Sequence, residues 1–100
     1  MSDTIELVRF RLKQDKTAAD WLKANEKINE WIKVQPGFRF RSLSETDDGE
    51  WIDMVYWENL EAAKAAGAKF GDEIGPSCEP LIEVGSVVVS HSKAHVMQQG

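Results

Sequence analysis

Residues 50–63 read Glu50-Trp51-Ile52-Asp53-Met54-Val55-Tyr56-Trp57-Glu58-Asn59-Leu60-Glu61-Ala62-Ala63, and two structural periods meet inside them. Up to Trp57 the side chains alternate as a strand demands, with Trp51, Val55 and Trp57 on one parity and Ile52, Met54 and Tyr56 on the other. From Asn59 onward the pattern changes. The Asn59 amide is suited to cap a helix start, and the Ala-rich run Leu60 to about Phe70 supplies the helix. Upstream, Thr46-Asp47-Asp48-Gly49 carries the Asp-Gly step of a hairpin turn, so residues 38–45 and 50–57 pair as antiparallel strands.

Working outward gives the remaining elements. Pro36-Gly37 ends an earlier helix in which Trp21, Leu22, Ile28, Trp31 and Ile32 recur at helical spacing. That helix starts at Thr17-Ala18-Ala19-Asp20, where the hydroxyl and the acid satisfy free backbone N–H groups and the positive helix end. Thr4 to Lys13 alternates, Val8, Phe10 and Leu12 against Leu7, Arg9 and Arg11, and is a strand. Gly71 to Pro80 holds two Gly and two Pro and reads as irregular or one short turn. Leu81 to about Ala94, centred on Val87-Val88-Val89, is the last strand. The order β-α-β-β-α-β predicts an α+β, ferredoxin-like subunit: a four-stranded antiparallel sheet with two helices on one face.

The chain of 100 residues suits a single domain, residues 1–100, with a polar tail from about residue 96. A net charge of −5 argues against nucleic acid or an anionic membrane as a partner. A single cysteine excludes an intrachain disulfide. The start, Met1-Ser2-Asp3-Thr4-Ile5-Glu6, has no secretory pattern, and no apolar run approaches the roughly 18 residues of a membrane span. A cytoplasmic protein is expected.

Faces decide assembly. A sheet covered by helices on one side should be polar on the other. Here Ile52, Met54 and Tyr56 oppose Trp51, Val55 and Trp57, and Phe38 and Phe40 oppose Arg39, Arg41 and Leu43, so both faces of the hairpin are apolar. Each buried aromatic contributes a few kcal/mol at about 25 cal/mol per Å². Several per subunit offset much of an association cost of about 4–15 kcal/mol. A homodimer with sheets packed face to face is expected, and the excess of four tryptophans is assigned more to a second subunit than to an aromatic site.

Pro36-Gly37-Phe38, Asp48-Gly49-Glu50 and the run Trp51 to Ala63 resemble the antibiotic biosynthesis monooxygenase-like superfamily, whose members are small dimeric α+β barrels. The resemblance implies a dimeric α+β barrel here. The superfamily includes cofactor-independent monooxygenases acting on polyketide-type aromatic or quinol substrates, haem-degrading enzymes, and members without established activity. It implies a ligand pocket between the sheet and the helices, with Trp57 at that pocket. Several active members carry a His on the helix after this tryptophan. Leu60 to Phe70 has none, and places Lys64, Gly67 and Lys69 there instead.

The candidate site residues follow. Asn25 and Asn29, one helical turn apart beside the apolar stripe, are suited to orient a ligand carbonyl or hydroxyl; the competing expectation is that both flank the stripe and touch water. Trp21 and Trp57 are candidates to line an aromatic site. Arg9, Arg11, Arg39 and Arg41 alternate on two strands and can meet Asp53 in cross-strand ion pairs. Asp53, on the face of Val55 and Trp57, is a candidate general base, with a structural Arg partner as the alternative. His91 is a second acid–base candidate. His91 and His95 cannot share a metal if both lie in a strand, being separated by about 13 Å. Cys78 reads as a structural thiol.

The leading function is therefore a small-molecule enzyme of the cofactor-independent monooxygenase type acting on an aromatic or quinol-type substrate, with no bound cofactor or metal. Trp57, Trp21, Asn25 and Asn29 would bind the substrate, and Asp53 or His91 would handle the proton. The alternative is a non-catalytic dimer that binds a small aromatic or haem-like ligand.

Overall fold

The computed structural model describes residues 3–100, so the first two residues of the N-terminal stretch lie outside the described residues. Strand β1 is Thr4–Leu12, helix α1 Ala18–Ile32, β2 Phe38–Glu45, β3 Trp51–Trp57, α2 Leu60–Glu73, α3 Gly75–Cys78 and β4 Ile82–Lys93, with a 3₁₀ turn at Glu79–Leu81 before β4. The strands lie in the order β2-β3-β1-β4 and every neighbouring pair is antiparallel. This is the ferredoxin-like arrangement expected from the element order.

The local signals act as expected. Thr17 Oγ1 accepts from the Asp20 N–H at 3.2 Å, and Asp20 Oδ2 accepts from the Thr17 N–H at 2.8 Å, closing a capping box. Asn59 Oδ1 accepts from the Ala62 N–H at 2.8 Å at the start of α2. Gly49 takes φ +89° in the β2–β3 turn. Gly37, at φ +81°, has a second reason to be glycine: a Cβ there would stand 2.7 Å from Ala62 Cβ. The chain leaving α1 thus runs hard against α2, and the Glu58 N–H donates to Gly37 O at 2.7 Å.

Both helices cover one face. Phe10 and Trp51 from the sheet pack with Trp21 and Ile28 of α1 and with Ile74 and Cys78. Beside them, Val55 and Trp57 pack with Ile32 of α1 and with Ala63 and Ala66 of α2. Ala63 is fully buried and Ala66 nearly so, which lets α2 approach β3 closely.

Four expectations are corrected. Phe38 and Phe40 do not share a face: Phe38 pairs with Trp57 and Phe40 with Tyr56, because a bulge at Arg39 shifts the register. Phe38 therefore packs on Trp57 beneath the helices, while Phe40 stands on the open face against Tyr56. The segment 71–80 is mostly helical, since α2 continues to Glu73 and Pro76 and Pro80 sit in first turns, where a missing N–H costs nothing. Among the four arginines only Arg41 meets Asp53; Arg9 pairs with Glu50, Arg11 with Asp48 and Arg39 with Asp3. Finally, the tryptophans are used within the chain itself rather than held for a second copy. Trp21, Trp51 and Trp57 are buried within it, and Trp31 packs against that core.

The open face still carries an apolar patch. Ile5 and Leu7 of β1 lie opposite Tyr56 and Met54 of β3. Phe40, 53 % exposed, extends the patch across β2. Among the described residues no helix is long and apolar enough to cross a membrane.

Candidate active site

Between the sheet and the helices lies a cavity of about 610 Å³, within the roughly 300–1,000 Å³ of small-molecule sites. Its floor is the helix-facing side of β1 and β3, with Val8, Phe10, Val55 and Trp57. Trp21, Ile28, Trp31 and Ile32 of α1 form one wall, and Ala66, Gly67 and Phe70 of α2 the other. A Cβ added at Gly67 would meet nothing within 4 Å, so here the small residue leaves space rather than drawing the helix closer.

The mouth is made by β4. Arg9 pairs with Val88, but Arg11 pairs with Glu83, so β4 carries extra residues between those points. Ser86 closes this irregularity: its Oγ accepts from the Arg11 N–H at 2.8 Å and donates to Glu83 O at 2.6 Å. The bulge reverses side-chain parity, and Val84 joins Val87 and Val89 at the cavity. Gly85 is the sequence signal that the periodicity reading passed over.

Two polar clusters break the apolar lining. In the first, Arg41 binds Asp53 in fork geometry, Nε to Oδ1 at 3.0 Å and Nη2 to Oδ2 at 2.7 Å. Its third nitrogen, Nη1, donates to Asn29 Oδ1 at 2.7 Å. The Arg41 side chain is only 5 % exposed and that of Asp53 17 %. An ionised carboxylate offers about four lone-pair sites, and Arg41 occupies two, so Asp53 can still accept a ligand O–H. In the second cluster Glu6 Oε1 accepts from the Trp57 indole N–H at 3.3 Å, and Glu6 Oε2 lies 3.2 Å from His91 Nε2.

The candidates therefore separate. Trp57, Trp21 and Asp53 line the cavity. Asn29 is exposed and reaches the site through Arg41, whereas Asn25 is buried at 8 % exposure. His91 lies outside the main cavity and touches it through Glu6; its own surroundings are a second, shallower depression beside Asn59 and Leu60. Arg41 and Glu6 were missed as individual site residues. Their signal was parity alone: each shares a face with a residue that was singled out, Arg41 with Val55 across β2–β3 and Glu6 with Val8 along β1.

Cys78 also lines the cavity, and burial pushes its thiol up from the ordinary value, which keeps it protonated and poorly nucleophilic. Among the described residues no group of three or more His, Cys, Asp or Glu stands together as a metal site. Glu6, Asp53 and Glu79 outnumber Arg41 around the cavity, so it favours a neutral ligand over an anion.

No family model and no curated protein matches this sequence. Solved structures do. SnoaB, a cofactor-independent oxygenase from Streptomyces nogalater, superposes with a TM-score of 0.69 at 18 % identity, over 99 % of this chain and 97 % of that one. A protein from Deinococcus radiodurans, provisionally named an antibiotic biosynthesis monooxygenase, gives 0.76 at 16 % identity over 96 % of both chains. NE2512 of Nitrosomonas europaea, of unknown function, gives 0.76 at 10 % identity over 100 % of this chain and 96 % of that one. The chain thus has the fold of the antibiotic biosynthesis monooxygenase-like proteins.

Proposed function

We propose that this protein is a small-molecule oxygenase acting on a hydroxylated aromatic or quinol-type substrate held in the cavity between sheet and helices. The observation that carries this reading is the cavity itself: an aromatic enclosure with a buried Arg41–Asp53 pair in its wall. The oxygenase character of SnoaB supports it by likeness of fold.

In this reading Trp21 and Trp57 form part of the wall against which the substrate lies. Asp53 accepts a substrate proton, and Arg41 stands beside the negative charge that develops. The substrate, reacting as the keto tautomer that carries a CH₂, passes one electron from its anion to O₂; the radical pair combines to a peroxide anion with a new C–O bond, and Asp53 returns its proton to give the hydroperoxide. Loss of water from the hydroperoxide converts CH₂ plus O₂ into C=O plus H₂O, so atoms and electrons balance. Orientation and electrostatics are the protein's contribution.

One observation favours a second reading. Both oxygens of Asp53 are held by Arg41, as in a structural ion pair, which suits a non-catalytic binder of an aromatic ligand. An oxygen electrode separates the two. With a naphthalene diol, the wild type is expected to consume oxygen faster than the heat-denatured protein does. Asp53→Asn and Trp57→Phe should each lose at least about tenfold in that rate. Rates equal to the denatured control, with binding intact, would leave the binder.

A further inference from the structure

Glu6 stands on the middle strand of three, opposite Val55 on β3 and opposite His91 on β4. Directly opposed residues present their side chains on one side of a sheet, and Trp57, two residues beyond Val55, shares that side. A row therefore runs Trp57, Glu6, His91 across the three strands. The Trp57 indole N–H donates to Glu6 Oε1 at 3.3 Å, and Glu6 Oε2 lies 3.2 Å from His91 Nε2. The two ends of the row open differently. Trp57 and Glu6 line the cavity, whereas His91, its side chain 30 % exposed, lines the shallower depression outside it.

Glu6 and Asp53 are thus wired in opposite ways. Asp53 gives both oxygens to a guanidinium, which accepts no proton. A proton on Asp53 has no onward acceptor in that pair and goes back to the ligand, as the return to the peroxide anion requires. Glu6 has an acceptor behind it. An indole N–H only donates, so Oε1 stays an acceptor, and Oε2 is the oxygen that hands on a proton. In the Nδ1–H tautomer of His91, Nε2 takes that proton. The two contacts use two of the carboxylate's roughly four lone-pair sites, which leaves Glu6 able to meet a ligand as well.

We propose that Glu6 and His91 form a proton relay for the water-losing step of the reaction. This rests on the oxygenase reading and assigns the step that Asp53 leaves open. Once Asp53 has given up its proton, the hydroperoxide carbon still carries one C–H bond. Glu6 takes that proton. The C–H electron pair becomes the π bond of the new C=O, and the O–O bond breaks with its pair leaving on hydroxide. The proton passes from Glu6 Oε2 to His91 Nε2, is held there as imidazolium, and returns by the same path to the hydroxide, which departs as water. Glu6 is the catalytic residue of this step, and His91 acts through it.

Tetralin 1-hydroperoxide, a two-ring benzylic hydroperoxide, enters at this step without oxygen. Under nitrogen the wild type should convert it to 1-tetralone and water faster than heat-denatured protein does, and more slowly when the benzylic C–H is replaced by C–D. Glu6→Gln keeps an acceptor for the indole, and His91→Gln keeps a donor to Glu6. Each should retain the wild-type tryptophan emission and lose about tenfold in kcat with KM little changed. His91→Ala should lose as much, and added imidazole, which the depression of about 300 Å³ has room to admit, should restore the rate.

A wild-type rate equal to the denatured control, no isotope effect, or full activity in a folded Glu6→Gln or His91→Gln would overturn the relay. So would a His91→Ala variant that imidazole does not restore. Oxygen uptake with a naphthalene diol but no tetralone here would remove the relay and keep the oxygenase reading. Tetralone here without oxygen uptake would do the reverse.

Discussion

At the scale of single residues, Arg41 and Asp53 do two things at once. The guanidinium is almost wholly buried and its partner mostly so, which makes each charge dependent on the other. Asp53→Asn should therefore cost about 3 kcal/mol, read as a lower denaturant midpoint, because it leaves Arg41 charged, buried and unpaired. Replacing both, Arg41→Met with Asp53→Leu, should recover most of that loss, since an apolar pair has nothing left to compensate. Oxygen uptake should not recover. A double variant no more stable than Asp53→Asn would show that the pair is not the unit described here. Asp53 was legible in the sequence from its face. Its partner was not: alternation gave four arginines equal claims, whereas the β2–β3 register sets Arg41 opposite Val55 and the bulge takes Arg39 off that face.

At the scale of elements, the fold was legible wherever a local signal acts alone. The capping box at Thr17, the Asn59 cap and the Asp-Gly turn each report a backbone need that a neighbouring side chain or glycine meets. Bulges were illegible, because a strand with one inserted residue keeps its composition and loses only its parity. Both bulges matter for the helix-facing side: one brings Phe38 rather than Arg39 opposite Trp57, and the other builds the valine mouth. Gly37 is a place where element packing and backbone conformation coincide. Gly37→Ala should cost about 1–3 kcal/mol, combining a strained positive φ with a clash against Ala62, and should show as a lower unfolding midpoint. A midpoint equal to wild type would mean that the chain between α1 and β2 relaxes freely away from α2.

At the scale of the whole molecule, the two faces of the sheet differ. The helix side holds the chain's own tryptophans and the cavity. The open side presents Ile5, Leu7, Met54, Tyr56 and Phe40, an apolar surface of the kind a second copy packed face to face would cover. Sedimentation at micromolar concentration should give twice the 11.3 kDa of one chain. Tyr56→Glu with Leu7→Glu should return a folded monomer. A wild-type mass of one chain would remove the dimer and leave the patch unexplained.

Gly67 offers a way to close the cavity without touching the polar clusters. Its missing side chain faces open space, so Gly67→Leu fills the site while improving helix propensity by up to about 1 kcal/mol. The most direct test is isotopic: turnover of a naphthalene diol or anthrone-type substrate under ¹⁸O₂, with the product analysed by mass. One labelled oxygen atom per product is expected from the wild type, and none above background from a folded Gly67→Leu. Unlabelled product from the wild type, or equal labelling by both proteins, would contradict the oxygenase reading.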